Sequence, residues 1–527
     1  MCIRDRHCLT LQQYASGEYT SSSNTLELPP GNHFLWIGFK VYRSYYFEMN
    51  GVNVTILCND TFGSFFEFYG IQYIHISGIN FTNCKAVYIA SVSALAIENC
   101  GILNNQYIWR LNNVANATII RSSFLNGRTL KVKRSSLLGK QSVFINTTST
   151  GYYGGAIKCD RSILTVEHST FKNNGANSIV GSGGAIYAKS TNTTITDSTF
   201  ISNTAVISGG AIYIQSGSLT VSLVNSFFHN NSATFCAALG VKEANSSIQI
   251  IRSTFTYNRG TGRPETFVRY TDIQLGGVAC FNGSNISIFN SDFSHNIASG
   301  RAGVLHLEHS NLSVHKSTFD SNRARHNGGV IYAIYSSVAI SVNQSSFTYN
   351  QAGSDGGGMY IGRLGSHVKL GRATLALMMQ LAEVGVIAIF GSHLDIRGTS
   401  IYDNTADLGG VVSACVSDVT VQEELLVKED PTNPLYTLYD AEANYKAKTS
   451  LLTSSPDKFA MTLHATLGVS IIICFLVLIL YIIIVGIILY LCGIFKRKTG
   501  TGSDVDNPYL YVPMNEDHNV QPECNQN

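Results

Sequence analysis

A six-residue pattern, Ser-x-Phe-x-x-Asn, returns seven times along this chain, and a repeat of that kind restricts the fold more than any other feature. Its phenylalanines are Phe171, Phe200, Phe228, Phe255, Phe293, Phe319 and Phe347. Its asparagines, three residues later, are Asn174, Asn203, Asn231, Asn258, Asn296, Asn322 and Asn350. Successive phenylalanines are 29, 28, 27, 38, 26 and 28 residues apart, so the fourth interval carries an insertion, placed at about 260–272. A unit of that length with two or three short strands cannot bury its apolar face alone, so copies must stack on each other.

Alternation inside each unit decides strand over helix. The positions seven and five before each phenylalanine are apolar in almost every copy, as in Leu164/Val166, Val221/Leu223, Ile248/Ile250 and Leu312/Val314, with Thr193/Ile195 softer. A period of two specifies strands with one inward face. The residue three before the phenylalanine is His168, Asp197, Asn290, Lys316 or Gln344, which fits an outward, solvated position. The natural solution is a parallel β-helix: an all-β solenoid whose coils rise by about 4.8 Å, the strand spacing of a sheet, so that inward residues stack on their own kind. At a bend asparagine tolerates the left-handed conformation, and stacked amides can hydrogen-bond from coil to coil, so the seven asparagines are expected to form a ladder.

A second marker, a glycine pair followed by an apolar residue, sits between the anchors at Gly155, Gly184, Gly210, Gly277, Gly329 and Gly358, with a degenerate copy at Gly303 and Ala237 replacing one. Upstream, Phe81, Ile102 and Phe124 continue the rhythm with Ile76, Ile97 and Ile119 five before each. Downstream it continues through Gly385 and Gly410. The domain reading is therefore a cap at 7–51, a solenoid of roughly thirteen coils at 52–415 and a polar stalk at 416–466. Residues 1–6, Met-Cys-Ile-Arg-Asp-Arg, read as a translated sequencing adapter.

These motifs resemble the right-handed parallel β-helix (pectin lyase-like) superfamily. Gly183-Gly184-Ala185-Ile186, Gly209-Gly210-Ala211-Ile212 and Phe200-Ile201-Ser202-Asn203 are similar to the GGAI and FxxN tetrapeptides of the chlamydial polymorphic membrane proteins. The resemblance covers about residues 52–415 and implies a surface passenger with a role in adhesion. Unlike those passengers, the repeats here are followed by one apolar span and a tyrosine-bearing tail.

That span, 467–495, has no charged, Asn or Gln side chain and exceeds the roughly 20 apolar residues a helix needs to cross a bilayer. Lys496, Arg497 and Lys498 abut it, so positive-inside reasoning puts the tail, 496–527, in the cytosol: a single-pass type I protein of the plasma membrane. Asn-x-Ser/Thr sequons agree, since Asn53, Asn59, Asn80, Asn116, Asn146, Asn192, Asn230, Asn245, Asn282, Asn285, Asn311 and Asn343 all precede the span. None of the ladder asparagines heads a sequon, whereas Asn192, Asn285 and Asn311 each stand eight before a repeat phenylalanine, pointing outward. In the tail, Tyr511-Val-Pro-Met resembles an SH2-docking site and Tyr509-Leu-Tyr-Val an endocytic signal, making Tyr509 and Tyr511 candidate contacts for an SH2 or endocytic adaptor.

Catalysis is not expected. An enzyme on this fold needs clustered carboxylates, and the acids here (Asp160, Glu167, Asp197, Asp292, Glu308, Asp320, Asp355, Asp395) are isolated, only Asn290-Ser291-Asp292 matching part of a polygalacturonase-like pattern. His295, His306, His309 and His315 lack metal-ligand spacing and read as surface positions. No cofactor is implied. A net charge of +2 with 13% charged residues leaves out a dedicated nucleic-acid binder. Eight of the twelve cysteines lie outside the leader, span and tail; Cys8 with Cys58 and Cys84 with Cys100 are candidate pairs, buried free thiols the alternative. The sequence thus reads as a non-enzymatic cell-surface glycoprotein for adhesion or recognition of a cell-surface or matrix glycan or protein, homophilic contact included. A signalling receptor and a polysaccharide-active enzyme are the alternatives.

Overall fold

The computed structural model describes most of residues 25–445 and the backbone of 2–3 and 7–8; its longest internal breaks are 59–64, 263–275, 405–411 and 429–435. The 467–495 span, the tail with Tyr509 and Tyr511, and Asn59 lie outside the described residues. The described chain is an all-β right-handed parallel solenoid of about 13 turns, and no helix occurs among the described residues.

Each coil repeats the same pieces. In one of them Ile186–Lys189 lies on a first wall, Asn192–Thr196 on a second, Thr199–Ile201 on a third and Thr204–Ser208 on a short fourth. Every piece pairs in parallel with its equivalent one coil before and after: Ile186 with Ile157 and Ile212, Thr194 with Thr165 and Ser222, Phe200 with Phe171 and Phe228. This pairing is wider than the 52–415 read from the repeat. Thr25–Leu28 already pairs with Glu48–Gly51, and Val419 pairs with Ala443, so parts of the expected cap and stalk are coils as well.

The phenylalanines stack. From Phe124 through Phe144, Phe171, Phe200, Phe228, Phe255, Phe293 and Phe319 to Phe347, neighbouring ring centroids are 4.4 to 5.0 Å apart. Each such contact is worth about 0.5–1.5 kcal/mol beyond the area it buries. Phe144, which the pattern misses, belongs to the stack because Ser142 precedes it as in the other copies, but Thr147 stands where asparagine should.

Beside the rings run two polar columns at 0–3% exposure. In the asparagine column, Asn203 Nδ2 donates to Phe171 O at 3.0 Å and to Asn231 Oδ1 at 3.0 Å, while Asn203 Oδ1 accepts from the backbone N–H and Nδ2 of Asn174. Both amide hydrogens and both oxygen lone pairs are thereby satisfied, which makes a buried amide tolerable. In the serine column the N–H of Ser169 donates to Ser198 Oγ, that of Ser198 to Ser226 Oγ, and so on to Ser345.

The bend itself departs from expectation. The left-handed residue is the one before each ladder asparagine, namely Asn173, Ser202, Asn230, Tyr257, His295, Ser321 and Tyr349, with φ of 52° to 55°. The serine column follows the same rule, with His168, Asp197, Asn225, Arg252, Asn290, Lys316 and Gln344 at 47° to 50°. A left-handed, outward residue turns the chain, and the next side chain points inward and closes the corner onto the previous coil.

The asparagine column breaks at Gly127. Asn105 stands one coil earlier in the same column, accepts the N–H of Cys84 at 2.8 Å, and leaves its buried Nδ2 without a partner. A Cβ at Gly127 would meet nothing nearer than 3.5 Å. Gly127→Asn is therefore expected to give Asn105 its missing acceptor and raise stability by about 1 kcal/mol, read as a higher urea midpoint at unchanged slope.

Two disulfides correct the sequence reading: Cys58 pairs with Cys84 (Cα–Cα 4.8 Å) and Cys236 with Cys280 (Cα–Cα 5.3 Å). Cys84 and Cys100 are not joined, because Cys100 occupies the serine column, where its N–H donates to Ser122 Oγ. Cys100 and Cys159 are buried free thiols; burial, against backbone hydrogen bonds, pushes Cys100 up to about 11, and burial also raises Cys159.

Candidate functional site

With the inside filled by stacked rings and polar columns, chemistry has to lie on the outer walls. Side chains at alternate strand positions face outward, and register converts them into straight rows, one residue per coil.

The second wall carries the most uniform rows. Its central row passes through Thr194, Ser222, Gln249, Ser287, Ser313 and Ser341, each in register with the next. None of these six side chains hydrogen-bonds to the described protein, and all but the half-buried Ser222 are exposed. On one side lies a row containing Asn192, Ser247, Asn285 and Asn311, in which Asn311 Nδ2 donates to Asn285 Oδ1 at 2.9 Å. On the other side Val224, Ile251 and Phe289 form an apolar line, Phe289 being 41% exposed and stacked on His315 at 5.4 Å.

The first wall is different. Behind the corner loops, the outward residue of successive coils is Cys280, His306 and Tyr332, with Tyr360 next. His306 is 2% exposed, which corrects its reading as a surface position. Its Nε2 lies 3.1 Å from Glu308 Oε1, and Asn282 Nδ2 donates to Glu308 Oε2 at 2.7 Å, so both carboxylate oxygens are engaged. Burial opposes ionisation of Glu308, but the hydrogen bond and charge of His306, the hydrogen bond from Asn282 and the charge of His309 outweigh it and hold the carboxyl below its usual range. Arg301 Nη1 donates to the Tyr332 hydroxyl at 2.8 Å, with the guanidinium 5.2 Å above that ring. Arg301 Nε and His306 Nδ1 are buried without partners. Such a pair stores charge, but a carboxylate already bonded twice is a weak general base.

Elsewhere acids sit opposite other groups. Asp160 stands between Lys133 and Lys189, Glu167 is 3.2 Å from Lys140, Asp292 lies between Thr254 and Thr318, and Asp395 between Lys369 and Thr420. Among the described strands no acid stacks on another in register, and no three His, Cys, Asp or Glu of the described residues are placed to hold a metal ion. The lone match Asn290-Ser291-Asp292 is divided, Asn290 at the corner and Ser291 in the buried serine column. A cleft of about 370 Å³ lies beside Tyr88, Gln106, Tyr107 and Arg110.

The sequon asparagines Asn53, Asn116, Asn146, Asn192, Asn230, Asn245, Asn285, Asn311 and Asn343 are exposed, and Asn80 and Asn282 half-buried. Asn192, Asn285 and Asn311 all fall on the second wall. No helix among the described residues is long and apolar enough to cross a membrane.

Closed coils, inward stacks and in-register outer rows define a right-handed parallel β-helix protein, consistent with the pectin lyase-like superfamily. The family model for the right handed beta helix region matches residues 64–228 and 184–375, more than half of the chain, and the chain belongs to that family. No curated protein matches it.

Proposed function

We propose that this chain is a non-enzymatic recognition protein of the cell surface: a single-pass type I glycoprotein of the plasma membrane whose coil faces bind a cell-surface or matrix glycan or protein, or a second copy of itself. The observation that carries this reading is the central row of the second wall, from Thr194 to Ser341, whose outward hydroxyl and amide side chains make no hydrogen bond to the described protein. Large exposed surface without an internal structural job is where binding resides. The exposed sequons support a glycosylated, extracellular solenoid, and the 467–495 span in the sequence supports a membrane anchor. Tail contacts through Tyr509 and Tyr511 belong to the same proposal.

The test displays the full chain on suspended cells and measures their aggregation and their capture of untransfected cells, before and after glycosidase treatment of the latter. Self-aggregation supports homophilic adhesion, and glycosidase-sensitive capture supports a glycan ligand. Cells that display the chain yet neither aggregate nor capture overturn the reading. The buried His306 with the half-buried Glu308 and Arg301 favours a polysaccharide-active enzyme as the second reading; polymer cleavage lost in Glu308→Gln would replace recognition with catalysis.

A further inference from the structure

We infer that the second wall binds an uncharged polysaccharide lying along the solenoid axis, and that Asn192, Asn285 and Asn311 are amide contacts to that polymer rather than glycan acceptors. This rests on the recognition reading above and names its ligand class and face.

Charge is the first argument. From the coil of Ile163 to that of Ala339, the first two outward rows of this wall hold 14 positions, two in each of seven coils, and none is Asp, Glu, Lys or Arg. A quarter or more of an ordinary surface is charged, so about four would be expected. The charges are present on neighbouring rows instead: Glu167, paired with Lys140, at one end of the third row of this wall, Lys158 and Lys189 on the first wall, Arg252 and Lys316 at the corner, Asp292 and Asp320 on the third wall. Asn192 Oδ1 and Asn311 Oδ1 accept the backbone N–H of Thr220 and Ala339, and Asn285 Oδ1 accepts from Asn311, so these amides turn N–H donors outward beside hydroxyls that both donate and accept. Two such rows, with no ion to desolvate, suit a neutral polyhydroxylated chain and discriminate against an acidic one.

Shape is the second. Six coil steps of about 4.8 Å make the face roughly 29 Å long, and three outward rows make it about 14 Å wide, roughly 400 Å². Stable protein partners bury about 800 Å² each, so a second copy of the chain does not fit this face alone, whereas a slender polymer does. The exposed Phe289 ring beside the hydroxyl row supplies a negative π face for the C–H face of a sugar whose hydroxyl edge meets Ser287 and Ser313.

Register also accounts for the sequons. Residues i and i+2 of a strand share a face, so an outward amide followed by an outward hydroxyl spells Asn-x-Ser/Thr automatically. Asn192 with Thr194, Asn285 with Ser287 and Asn311 with Ser313 are such pairs.

The full chain, immobilised in detergent micelles, is offered laminarin and galactomannan as neutral polymers and polygalacturonate as the acidic one. A neutral polymer is expected to be retained and polygalacturonate not. Ser222→Arg with Gln249→Arg, adjacent exposed or half-exposed positions outside any sequon, is expected to cut retention at least tenfold, while Ser294→Arg on the third wall leaves it unchanged. Ser341→Arg, in a later coil, repeats the test should the double variant not fold. Peptide mapping is expected to find Asn192, Asn285 and Asn311 without sugar. Retention of neither neutral polymer, equal retention by the arginine variants, or glycan on these asparagines overturns the inference. Cell capture that persists in Ser222→Arg/Gln249→Arg overturns this face while leaving the recognition reading standing.

Discussion

Asn231→Leu is expected to destabilise the solenoid by about 2–6 kcal/mol, although the two side chains share the same branched heavy-atom skeleton. The change removes one of the hydrogen bonds to the carbonyl of Phe200, which keeps its strand pairing, and leaves two buried donors without a partner, the backbone N–H and one Nδ2 hydrogen of Asn203. Each costs about 1–3 kcal/mol when stranded away from water. Urea unfolding followed by far-UV circular dichroism measures the loss. A midpoint equal to that of the parent protein would show that the amide column contributes no stability and that the ring stack alone sets the coil spacing.

Gly184→Ala is expected to be as severe for a steric reason. A Cβ there would lie 2.0 Å from the carbonyl oxygen of Gly210, in the next coil, and 2.5 Å from that of Thr204, on the fourth wall of its own coil, so both obstacles are backbone. Neither can move without opening the parallel pairing on the first and fourth walls, which puts the cost above about 3 kcal/mol. The same approach recurs at Gly155, Gly210, Gly303 and Gly329, each blocked by a carbonyl of the following coil at 1.9 to 2.2 Å. Gly139→Ala is the control: nothing lies within 4 Å of its Cβ position, so it is expected to be neutral or stabilising by about 0.5 kcal/mol. Comparable losses for the two alanine variants, compared by the same unfolding measurement, would refute this account.

What could be read from the sequence follows from which side chains meet copies of themselves. Inward rows select for one residue type because each member packs on its equivalent, which is why phenylalanine, serine, asparagine and the glycine pairs recur visibly. The left-handed corner positions face solvent and accept His, Asn, Tyr, Ser, Lys or Gln, so residue identity carries no trace of their conformation and the bend was assigned one residue too late. Phe144 escaped because Thr147 supplies a hydroxyl in place of the amide, donating to Asn174 Oδ1. In the coil marked by Gly358, the glycine facing the Gly329 position is Gly357, since a run of three glycines hides the register. The disulfides were mispaired because spacing cannot distinguish the column of Cys84 from that of Cys100. The face of the second wall was only partly legible: three of its asparagines were seen as sequons, while Ser222, Gln249 and Phe289 match no motif and acquire meaning only when the coils are aligned.

The longest interval in the repeat has a further consequence. Phe255 and Phe293 stack at 4.8 Å although 38 residues separate them, and Ala233, Gly260 and Ala298 stay in register on the fourth wall, so the longer interval leaves the pairing of both neighbours intact. One coil thus asks of the next only a matching set of inward side chains, whatever the length of chain between them. Gene segments encoding whole coils can be duplicated or lost with the frame of the stack preserved, while a change of one residue inside a wall inverts every side chain beyond it. For a molecule built this way, overall length is a heritable variable that selection can adjust in steps of one strand spacing.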